Sequence, residues 1–458
     1  MAKYKAYPEY KGSGVEWLGE IPGHWVCTQV KYGYEITLGK MLQKSKNSPS
    51  DELKPYLKAQ NIQPHGIDLN NVDLMWFSSE ERKKLLLKYN DVLISEGGDV
   101  GRSAIWSGQL DECYLQNAIN RARPINNNSS IFFNYWITYL KAIDFINTLC
   151  NKATIAHYTA EKLETSPLLL PKNDEQLRIA AFLDHETAKI NNLIEKQQQL
   201  IELLKEKRQA VISHAVAKGL NPDVPMKDSG IEWLGQVPEH WEVCLVKFKC
   251  DAITDGAHIS PDTNGGLHYF VSIKDINNGI IDFDNALLTT TKSYNYLTKA
   301  GCMPLSGDIL FSKDGTIGQT AITPPNVDFV VASSLIIIRP NKTKVLSDFL
   351  NHLLLSSLIK EQVESFVKGA ALRRLSIQNL QKVFGIFPPL REQIKISSYI
   401  NKKLATFNVL ETEASAQIRL LQERRTALIS AAVTGKIDVR DWVAPNACEA
   451  EVSQEATA

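Results

Sequence analysis

"SGVEWLGEIPGHW", residues 13–25, returns as "SGIEWLGQVPEHW", residues 229–241, with nine of thirteen positions identical. We name these two segments the straps. Further pairs follow in the same order: "NDVLISEGGDVGRSAI" (90–105) with "GDILFSKDGTIGQTAI" (307–322), "PKNDEQLRIAAFL" (171–183) with "PPLREQIKISSYI" (388–400), and "EKRQAVISHAV" (206–216) with "ERRTALISAAV" (423–433). The offset between partners stays at 216 or 217 residues. The chain is therefore a tandem duplication whose intervening segments have diverged.

Length and charge narrow the possible functions. At 458 residues the chain exceeds what one hydrophobic core usually serves, and we expect two or three domains. Lysine plus arginine equals aspartate plus glutamate, at 51 each. No global basic field is therefore present, and any DNA binding would need local patches or a partner.

Cysteine usage and hydropathy indicate the compartment. The seven cysteines form no Cys-x-x-Cys pair, which disfavours both a disulfide framework and a zinc site. The N-terminus has no apolar signal-peptide core, and no run of about 18 apolar residues occurs. We therefore expect a cytoplasmic protein with free thiols.

Each half is expected to contain a mixed α/β globular part followed by one long helix. Apolar runs such as "DVLIS" (91–95) and "DILFS" (308–312), bounded by Gly, Asn and Pro clusters, indicate strands. The predicted boundaries are 1–172 and 229–388 for the globular domains, 173–219 and 389–437 for the helices, 220–228 for a linker and 438–458 for a disordered tail.

The two long helices carry apolar stripes that should bury each other. Three- and four-residue steps predict core positions at Ile190, Leu193, Leu200 and Leu204 in the first helix, and at Leu404, Phe407, Ile418 and Leu421 in the second, with Gln197 as an exception. A coiled coil is the simplest arrangement, and it could be parallel or antiparallel. The pseudo-twofold relation common between duplicated halves favours antiparallel helices, with a globular domain at each end.

Motifs of common catalytic sites are missing from the sequence. It contains no G-x-x-x-x-G-K-[ST] phosphate loop, no G-x-G-x-x-G, no H-E-x-x-H and no G-x-S-x-G element. His24 and His240 recur beside Trp25 and Trp241, and we interpret them as packing residues. We expect no active site in this chain.

Two glycine-rich segments follow apolar runs, at residues 95–102 and 312–319. Their glycines allow tight turns between strands. They also allow a loop that presents backbone amides, with Arg102 or Lys313, to phosphates or bases. The two interpretations are compatible, because a rigid turn makes a good recognition loop.

Taken together, these motifs closely resemble the specificity subunits of type I restriction–modification systems. The resemblance rests on the two straps, on "DILFSKDGTIGQTAI" (308–322), on "PPLREQ" (388–393) with "PKNDEQ" (171–176), and on "ERRTALISAAVTGKID" (423–438). It covers residues 10–440, and four motifs that occur twice in order are more specific than any single motif.

The resemblance implies a non-catalytic DNA-recognition subunit. Its two pseudo-symmetric target-recognition domains would each read one half of an asymmetric bipartite DNA site, and the antiparallel helices between them would set the spacer. It would dock two methyltransferase subunits and, through the complex, restriction motor subunits. S-adenosylmethionine, ATP and Mg²⁺ would belong to those partners. The assembled complex would be a site-specific deoxyribonuclease and adenine methyltransferase that acts in phage defence.

Candidate DNA-facing residues lie in loops of the two globular domains, because amide and charged groups near strand ends can reach bases and phosphates. The predicted residues are Lys58, Gln60, Asn61, Arg102, Lys152 and Tyr158 in the first domain, and Lys274, Lys313, Thr316, Arg373 and Arg374 in the second.

The straps are predicted to be structural through Trp17, Trp25, Trp233 and Trp241. The second strap follows the end of the first long helix directly. Symmetry therefore predicts that Trp17 and Trp25 pack beside residues 428–433, at the end of the second helix.

The residues leave alternative functions open. The chain could be a duplicated coiled-coil adaptor that binds proteins and never contacts DNA, or the specificity subunit of a methylation-only complex. A self-contained methyltransferase or nuclease would need catalytic motifs that this sequence lacks.

Overall fold

The computed structural model describes residues 4–64, 66–150, 156–277, 279–367 and 374–444. The chain divides into two compact units: unit 1 comprises residues 1–196 and 417–458, and unit 2 comprises residues 197–416. Both boundaries lie inside the long helices, so each unit combines one globular part with portions of both helices. Within the described ranges, no helix is long and apolar enough to cross a membrane.

Unit 1 is a mixed α/β structure. Its strands are β1 (Tyr10–Gly12), β2 (Glu20–Pro22), β3 (Val26–Gln29), β4 (Tyr34–Leu38), β5 (Glu52–Leu57), β6 (Ile62–Gln63), β7 (Gly66–Ile67), β8 (Asp73–Phe77), β9 (Val92–Ser95), β10 (Ser103–Ile105), β11 (Tyr114–Leu115), β12 (Ile119–Pro124) and β13 (Pro167–Leu170). Its helices are α1 (Ser79–Leu85), α2 (Ser130–Ala142), α3 (Phe145–Leu149) and α4 (Ala160–Thr165), followed by the long helix α5 (Asn173–Lys218).

Unit 2 repeats this order of elements. Its strands are β14 (Met226–Asp228), β15 (Gln236–Pro238), β16 (Glu242–Leu245), β17 (Cys250–Asp255), β18 (His268–Val271), β19 (Ile276–Asn277), β20 (Ile280–Ile281), β21 (Leu287–Thr289), β22 (Ile309–Ser312), β23 (Thr320–Ile322), β24 (Phe329–Val331), β25 (Leu335–Pro340) and β26 (Phe384–Phe387). Its helices are α6 (Thr291–Lys299), α7 (Ser347–Leu355), α8 (Ser357–Val367) and α9 (Ile377–Leu380), followed by the long helix α10 (Leu390–Val433).

The two units have the same sheet topology. In unit 1 the order β10-β9-β12-β4 forms a four-stranded antiparallel sheet, and unit 2 has the order β23-β22-β25-β17. The second sheet is β11-β5-β8 in unit 1 and β24-β18-β21 in unit 2, with one parallel and one antiparallel pair in each. The duplication seen in the sequence is thus a duplication of the fold.

The inner strands of the larger sheets explain why these segments fold as strands. All four residues of β9, "VLIS", and all four of β22, "ILFS", are buried. A short run that is apolar on both faces is typical of a strand covered on both sides. In unit 1, α2 covers one face with side chains at helical spacing, including Phe132, Phe133, Trp136 and Leu140.

Each strap is held by a carboxylate in the first turn of a long helix. In unit 1, Glu175 accepts hydrogen bonds from Trp25 Nε1 at 3.0 Å and from the hydroxyl of Tyr7 at 2.7 Å, and His24 Nε2 lies 2.8 Å from its other oxygen. Glu175 and Trp25 are both buried. We name this arrangement the carboxylate clamp.

The same clamp occurs in unit 2. Glu392 accepts a hydrogen bond from Trp241 Nε1 at 3.0 Å, and His240 Nε2 lies 2.6 Å from its other oxygen. The two histidines of the straps are therefore partners of a helix-borne carboxylate in both units. This explains why the repeated strap ends in His-Trp.

A buried glutamine next to each clamp glutamate joins a second element to the helix. The Oε1 atom of Gln176 accepts from the backbone N–H of Ser129 at 2.9 Å, just before α2. The Oε1 atom of Gln393 accepts from the backbone N–H of Leu346 at 2.8 Å, just before α7. The repeated Glu-Gln pair therefore attaches both the strap and a covering helix to the long helix.

The predicted position of the first strap is confirmed for Trp25, and Trp17 has additional partners outside the second long helix. Trp25 shares a core with residues 429–433, and a Cβ added at Gly435 would lie 3.3 Å from its ring. Trp17 contacts Tyr139 and Phe145, with ring centroids 6.4 and 4.9 Å away, and is 40% exposed. The half of the strap that holds Trp17 thus lies over the end of α2.

The stripes of the long helices follow alternating four- and three-residue steps. In the middle of α5 the stripe of buried and half-buried positions is Ile190, Ile194, Gln197, Ile201, Leu204, Arg208 and Val211. Leu193 and Leu200 are exposed, so their assignment to the core was wrong. The heptad spacing selects the neighbouring residues Ile194 and Ile201. In α10 the predicted residues Leu404, Phe407, Ile418 and Leu421 all lie on the stripe.

Within unit 2, the helix segments are antiparallel. Arg208 Nη2 in α5 lies 2.6 Å from Asn408 Oδ1 and 3.2 Å from Glu411 Oε2 in α10. Further along α5, residues 212–216 share a core with residues 396–400. Higher residue numbers in one helix therefore meet lower numbers in the other.

The prediction of a disordered tail at 438–458 is wrong for its first residues, 438–442. Val439 is buried, Asp438 pairs through its backbone with Lys5, and the Trp442 ring lies 5.5 Å from that of Phe182. Residues 438–442 therefore belong to the folded part of unit 1. Residues 445–458 lie outside the described range.

Replacing the clamp glutamates tests their structural role. The Glu175 side chain is 5% exposed with three partners, whereas that of Glu392 is 38% exposed with two. Buried donors left without an acceptor each cost about 1–3 kcal/mol. We expect Glu175→Ala to lower the free energy of unfolding by about 3 kcal/mol and Glu392→Ala by about 1 kcal/mol, measured by urea unfolding with tryptophan fluorescence. The exposed strap residue Glu16 is the control, and equal effects of Glu16→Ala and Glu175→Ala would contradict this role.

Candidate functional site

A short 3-10 turn follows the central strand of the smaller sheet in each unit, at Ala59–Asn61 and at Ile273–Asp275. Asn61 is buried; its Oδ1 accepts from the Lys58 amide at 2.8 Å, and its Nδ2 donates to the carbonyl of Asp68 at 2.8 Å. Asp275 has the same position in unit 2 and accepts from the Ser272 amide at 2.7 Å.

These contacts correct the prediction for Asn61. Its amide holds the turn and is not available to a ligand. The residue before it points outward in both units: Gln60 and Lys274 are exposed and occupy equivalent positions. The turn is therefore a common scaffold that presents a different side chain in each unit.

The glycine-rich segments are closed turns with matching backbone hydrogen bonds. In unit 1 the Ser95 amide donates to the carbonyl of Arg102 at 2.8 Å, and in unit 2 the Ser312 amide donates to that of Gln319 at 2.9 Å. The Ser95 hydroxyl donates to the carbonyl of Gly97 at 2.7 Å, and that of Ser312 to Thr316 at 2.6 Å. A rigid turn with variable outer residues results in each unit.

The two turns lie together at one edge of the larger sheet. In unit 1, Arg102 Nη2 donates to the carbonyl of Ala59 at 2.9 Å, which links the glycine-rich turn to the 3-10 turn. In unit 2, Ser334 joins them: its hydroxyl accepts from the Ile273 amide at 3.2 Å, and its carbonyl accepts from the Lys313 amide at 3.0 Å. We name each pair of turns a loop cluster.

Several of the lysine and arginine side chains that were predicted to face DNA form ion pairs with aspartates of the same unit. Lys58 Nζ lies 2.6 Å from Asp73, and Arg374 Nε lies 3.1 Å from Asp314 with half of its side chain exposed. Arg102 lies 3.8 Å from Asp99. Thr316 is exposed at the tip of its turn. Lys58, Gln60 and Arg102 thus gather in the loop cluster of unit 1, and Lys274, Thr316 and Arg374 lie around that of unit 2.

The structure corrects two further predictions. Lys313 is buried and paired with Asp255, so its ammonium group stabilises the turn from inside. Tyr158 is fully buried, its hydroxyl lies 2.7 Å from that of Ser166, and burial raises the pKa of Tyr158. Neither side chain faces outward. Lys152 and Arg373 lie outside the described residues.

The sequence motifs did not predict that the position beneath the glycine-rich turn carries an acidic residue in unit 1 and a basic residue in unit 2. Glu96 of unit 1 is equivalent to Lys313 of unit 2. Burial raises the pKa of Glu96, and His157 lies 3.9 Å away. Position-by-position comparison at the 217-residue offset would have found an acid opposite a base. The two loop clusters therefore differ in electrostatics as well as in exposed side chains.

A comparison with protein families identifies the family that has this architecture. The family model of the type I restriction modification DNA specificity domain matches residues 34–203 and again residues 245–420. These two matches cover well over half of the chain, and the chain belongs to this family. It is a type I specificity subunit with two target-recognition domains.

Individual relatives carry the same description. The EcoBI specificity subunit of Escherichia coli is 23% identical over 364 residues, which are 78% of this chain and 75% of that protein. The putative MjaX specificity subunit of Methanocaldococcus jannaschii is 24% identical over 438 residues, which are 92% of this chain and 96% of that protein.

Solved structures share the fold at low identity. A chain from a type I restriction–modification system, in a study of complex assembly and conformational transition, has a TM-score of 0.68 at 14% identity, covering 90% of this chain and 98% of that one. The HsdS subunit from Thermoanaerobacter tengcongensis has a TM-score of 0.52 at 15% identity, covering 91% and 98%.

Adjacent residues of the 3-10 turn separate structural from exposed roles. Asn61→Ala leaves the Lys58 amide and the Asp68 carbonyl without partners, and we expect a loss of about 2 kcal/mol in the free energy of unfolding. Gln60→Ala, one residue away and exposed, should change it by less than about 0.5 kcal/mol. Urea unfolding measures both, and a Gln60 effect as large as that of Asn61 would refute the assignment.

Proposed function

We propose that each loop cluster reads one half of an asymmetric bipartite DNA site, while the helix pair sets the spacer between the two halves. The complete subunit is non-catalytic and docks two methyltransferase subunits. In this proposal the methyltransferases bind S-adenosylmethionine, restriction motor subunits use ATP and Mg²⁺, and the complex acts in the cytoplasm.

The observation that carries the proposal is a common backbone whose exposed and half-buried side chains differ between the two units. At matched positions unit 1 has Gln60, Asp99 and Arg102, where unit 2 has Lys274, Thr316 and Gln319. The hydrogen bonds that close these turns recur in both units: the amides of Gly101 and Gly318 donate to the carbonyls of Ser95 and Ser312, and Asn61 and Asp275 accept from the amides of Lys58 and Ser272. Two rigid platforms that differ in donors and acceptors are suited to reading two different half-sites.

The exposed groups have the chemistry of base recognition. Glutamine can bond adenine at N6 and N7, and lysine or arginine can bond guanine at O6 and N7. Each good pair is worth about 1–3 kcal/mol of discrimination. Because the chain has no net charge, we propose that a partner subunit supplies much of the phosphate contact.

Repeated exposed apolar residues support docking of two identical partners. Leu177 and Ile394, two residues after the clamp glutamates, are 60% and 57% exposed. Leu203 and Leu420 are equivalent to each other and are also exposed. Solvent contact alone gives no reason to keep an apolar residue at the same exposed position in both halves, whereas one partner type that binds each half does.

Exchanging the matched residues tests half-site reading. We expect Gln60→Lys to change the bases preferred in one half-site by about 10- to 100-fold, and to leave the other half and the spacer unchanged. Lys274→Gln should change only the other half-site. The measurement is genome-wide mapping of methylated adenines in cells that express the chain with its methyltransferase, with Glu16→Ala as control. Unaltered motifs in both exchanges would contradict the proposal, and absence of any DNA binding would favour a protein adaptor.

A charged side chain introduced into one of the two exposed apolar surfaces should prevent one methyltransferase subunit from binding. We expect Ile394→Glu or Leu177→Glu to change the reconstituted complex from two methyltransferase copies per chain to one, as measured by mass photometry. An acidic side chain at these exposed positions, near the N-terminus of each helix, is compatible with folding. The control is Tyr89→Glu, because Tyr89 is exposed but its equivalent is Ser306. Two bound copies in both helix variants would exclude this surface.

A further inference from the structure

Unit 1 contains an open cavity of about 550 Å³ between the glycine-rich turn, α2 and the two long helices. Its lining includes Arg102, Thr138, Lys141, Asp184, Thr187 and Arg425. Arg102 belongs to the loop cluster, and Arg425 projects from α10. The cavity therefore connects the proposed recognition surface with the helix pair.

Two arginines of this cavity have unused donors. The Nε atoms of Arg102 and Arg425 are both buried and have no hydrogen-bond partner. Across the described part of the chain, no carboxylate forms an ion pair with Arg425. A buried N–H donor without an acceptor is costly, because its desolvation is not compensated. A ligand with acceptor oxygens would supply what is missing.

The equivalent arginine of unit 2 is paired. Arg208 lies 217 positions before Arg425, and its Nη2 contacts Glu411 Oε2 at 3.2 Å and Asn408 Oδ1 at 2.6 Å. At the same offset, Asn408 corresponds to Asn191, which also lines the cavity with Arg425. Glu411 corresponds to Ile194. Unit 1 thus keeps the arginine and the amide but lacks the carboxylate.

Three further residues that line the cavity in unit 1 are polar or charged, whereas the equivalent residues of unit 2 are apolar. Thr138, Lys141 and Thr187 of unit 1 correspond to Leu355, Leu358 and Leu404 of unit 2. Leu358 and Leu404 pack against the hydrophobic core of unit 2. The same place in the duplicated fold is therefore polar in unit 1, where Arg425 has no carboxylate partner, and more apolar in unit 2, where the equivalent Arg208 is paired with Glu411.

The acidic groups near the cavity are already engaged. Asp99 pairs with Lys141 and lies 3.8 Å from Arg102. Asp184 accepts a hydrogen bond from the Tyr135 hydroxyl at 2.8 Å. Neither carboxylate takes the place that Glu411 has beside Arg208.

We propose that this cavity of unit 1 binds a phosphate group through Arg102 and Arg425, with Lys141 as a third cation. Guanidinium groups match phosphate oxygens in geometry and charge. The phosphate belongs either to the backbone of bound DNA, which rests on the proposed function, or to a free nucleotide. Unit 2 has no equivalent site, because its equivalent arginine, Arg208, is already paired with Glu411.

The most direct test introduces a carboxylate beside Arg425, at the position equivalent to Glu411, which pairs with Arg208. In the full-length chain, Ile194→Glu should weaken binding of inorganic pyrophosphate by at least about tenfold, because the internal ion pair competes with the ligand. The matched control is Ile194→Gln, which has the same length without the charge and should stay within about twofold of the parent chain. Calorimetry measures both, and Arg425→Gln is a second variant with the same expected loss.

A second measurement identifies the source of the phosphate. If the phosphate comes from DNA, the slope of log K against log salt should become shallower by about 0.9 in Ile194→Glu and Arg425→Gln, relative to Ile194→Gln. If only pyrophosphate binding is lost, the ligand is a free nucleotide. No pyrophosphate binding by the parent chain, together with equal DNA slopes in all variants, would overturn the site. If the chain binds no DNA at all, the proposed function fails while the pyrophosphate result still decides the site.

Discussion

The structure depends on one interaction that occurs twice: a glutamate in the first turn of a long helix accepts hydrogen bonds from the His-Trp end of a strap. The carboxylate of Glu175 is buried, so its charge is tolerable only because Trp25, His24 and Tyr7 surround it with donors. Any change in the strap that removes a donor leaves a costly group behind. This constraint explains why the strap and the Glu-Gln pair resemble their copies more closely than the segments between them do.

Because the straps and the Glu-Gln pairs hold the fold together, the outer side chains of the loop clusters can differ between the two units. Their backbone is defined by hydrogen bonds of amides, carbonyls and the hydroxyls of Ser95 and Ser312, which do not depend on the outer side chains. Residues such as Gln60 and Lys274 can therefore change without loss of the turn. In the proposed function, stability and selectivity reside in different atoms of the same few residues, so the duplicated domains can diverge in selectivity without loss of stability.

Much of the fold could be predicted from the sequence, because repeats and helix limits are local patterns. The repeat predicted two equivalent domains, and α5 begins at the predicted residue 173. Burial of polar residues could not be predicted in the same way. Asn61, Lys313 and Tyr158 have side chains suited to binding, but their hydrogen-bond partners lie up to 58 residues away in the chain. The choice of Ile194 over Leu193 depended on heptad phase, which becomes clear only when both helices are aligned.

The duplication also shows how an identical residue acquires a different role. Arg208 and Arg425 lie at equivalent stripe positions, where a charged residue normally needs a partner. In unit 2 that partner is Glu411, and the arginine contributes to helix pairing. In unit 1, Ile194 stands at the position of that partner. Two threonines and a lysine stand where unit 2 has leucines, and the same guanidinium faces polar space. Identity between repeats therefore indicates a common structural role only when the neighbouring residues match as well. Mismatched neighbours around a retained charge show where the environments of the two halves differ, and this difference is the basis of the proposed phosphate site.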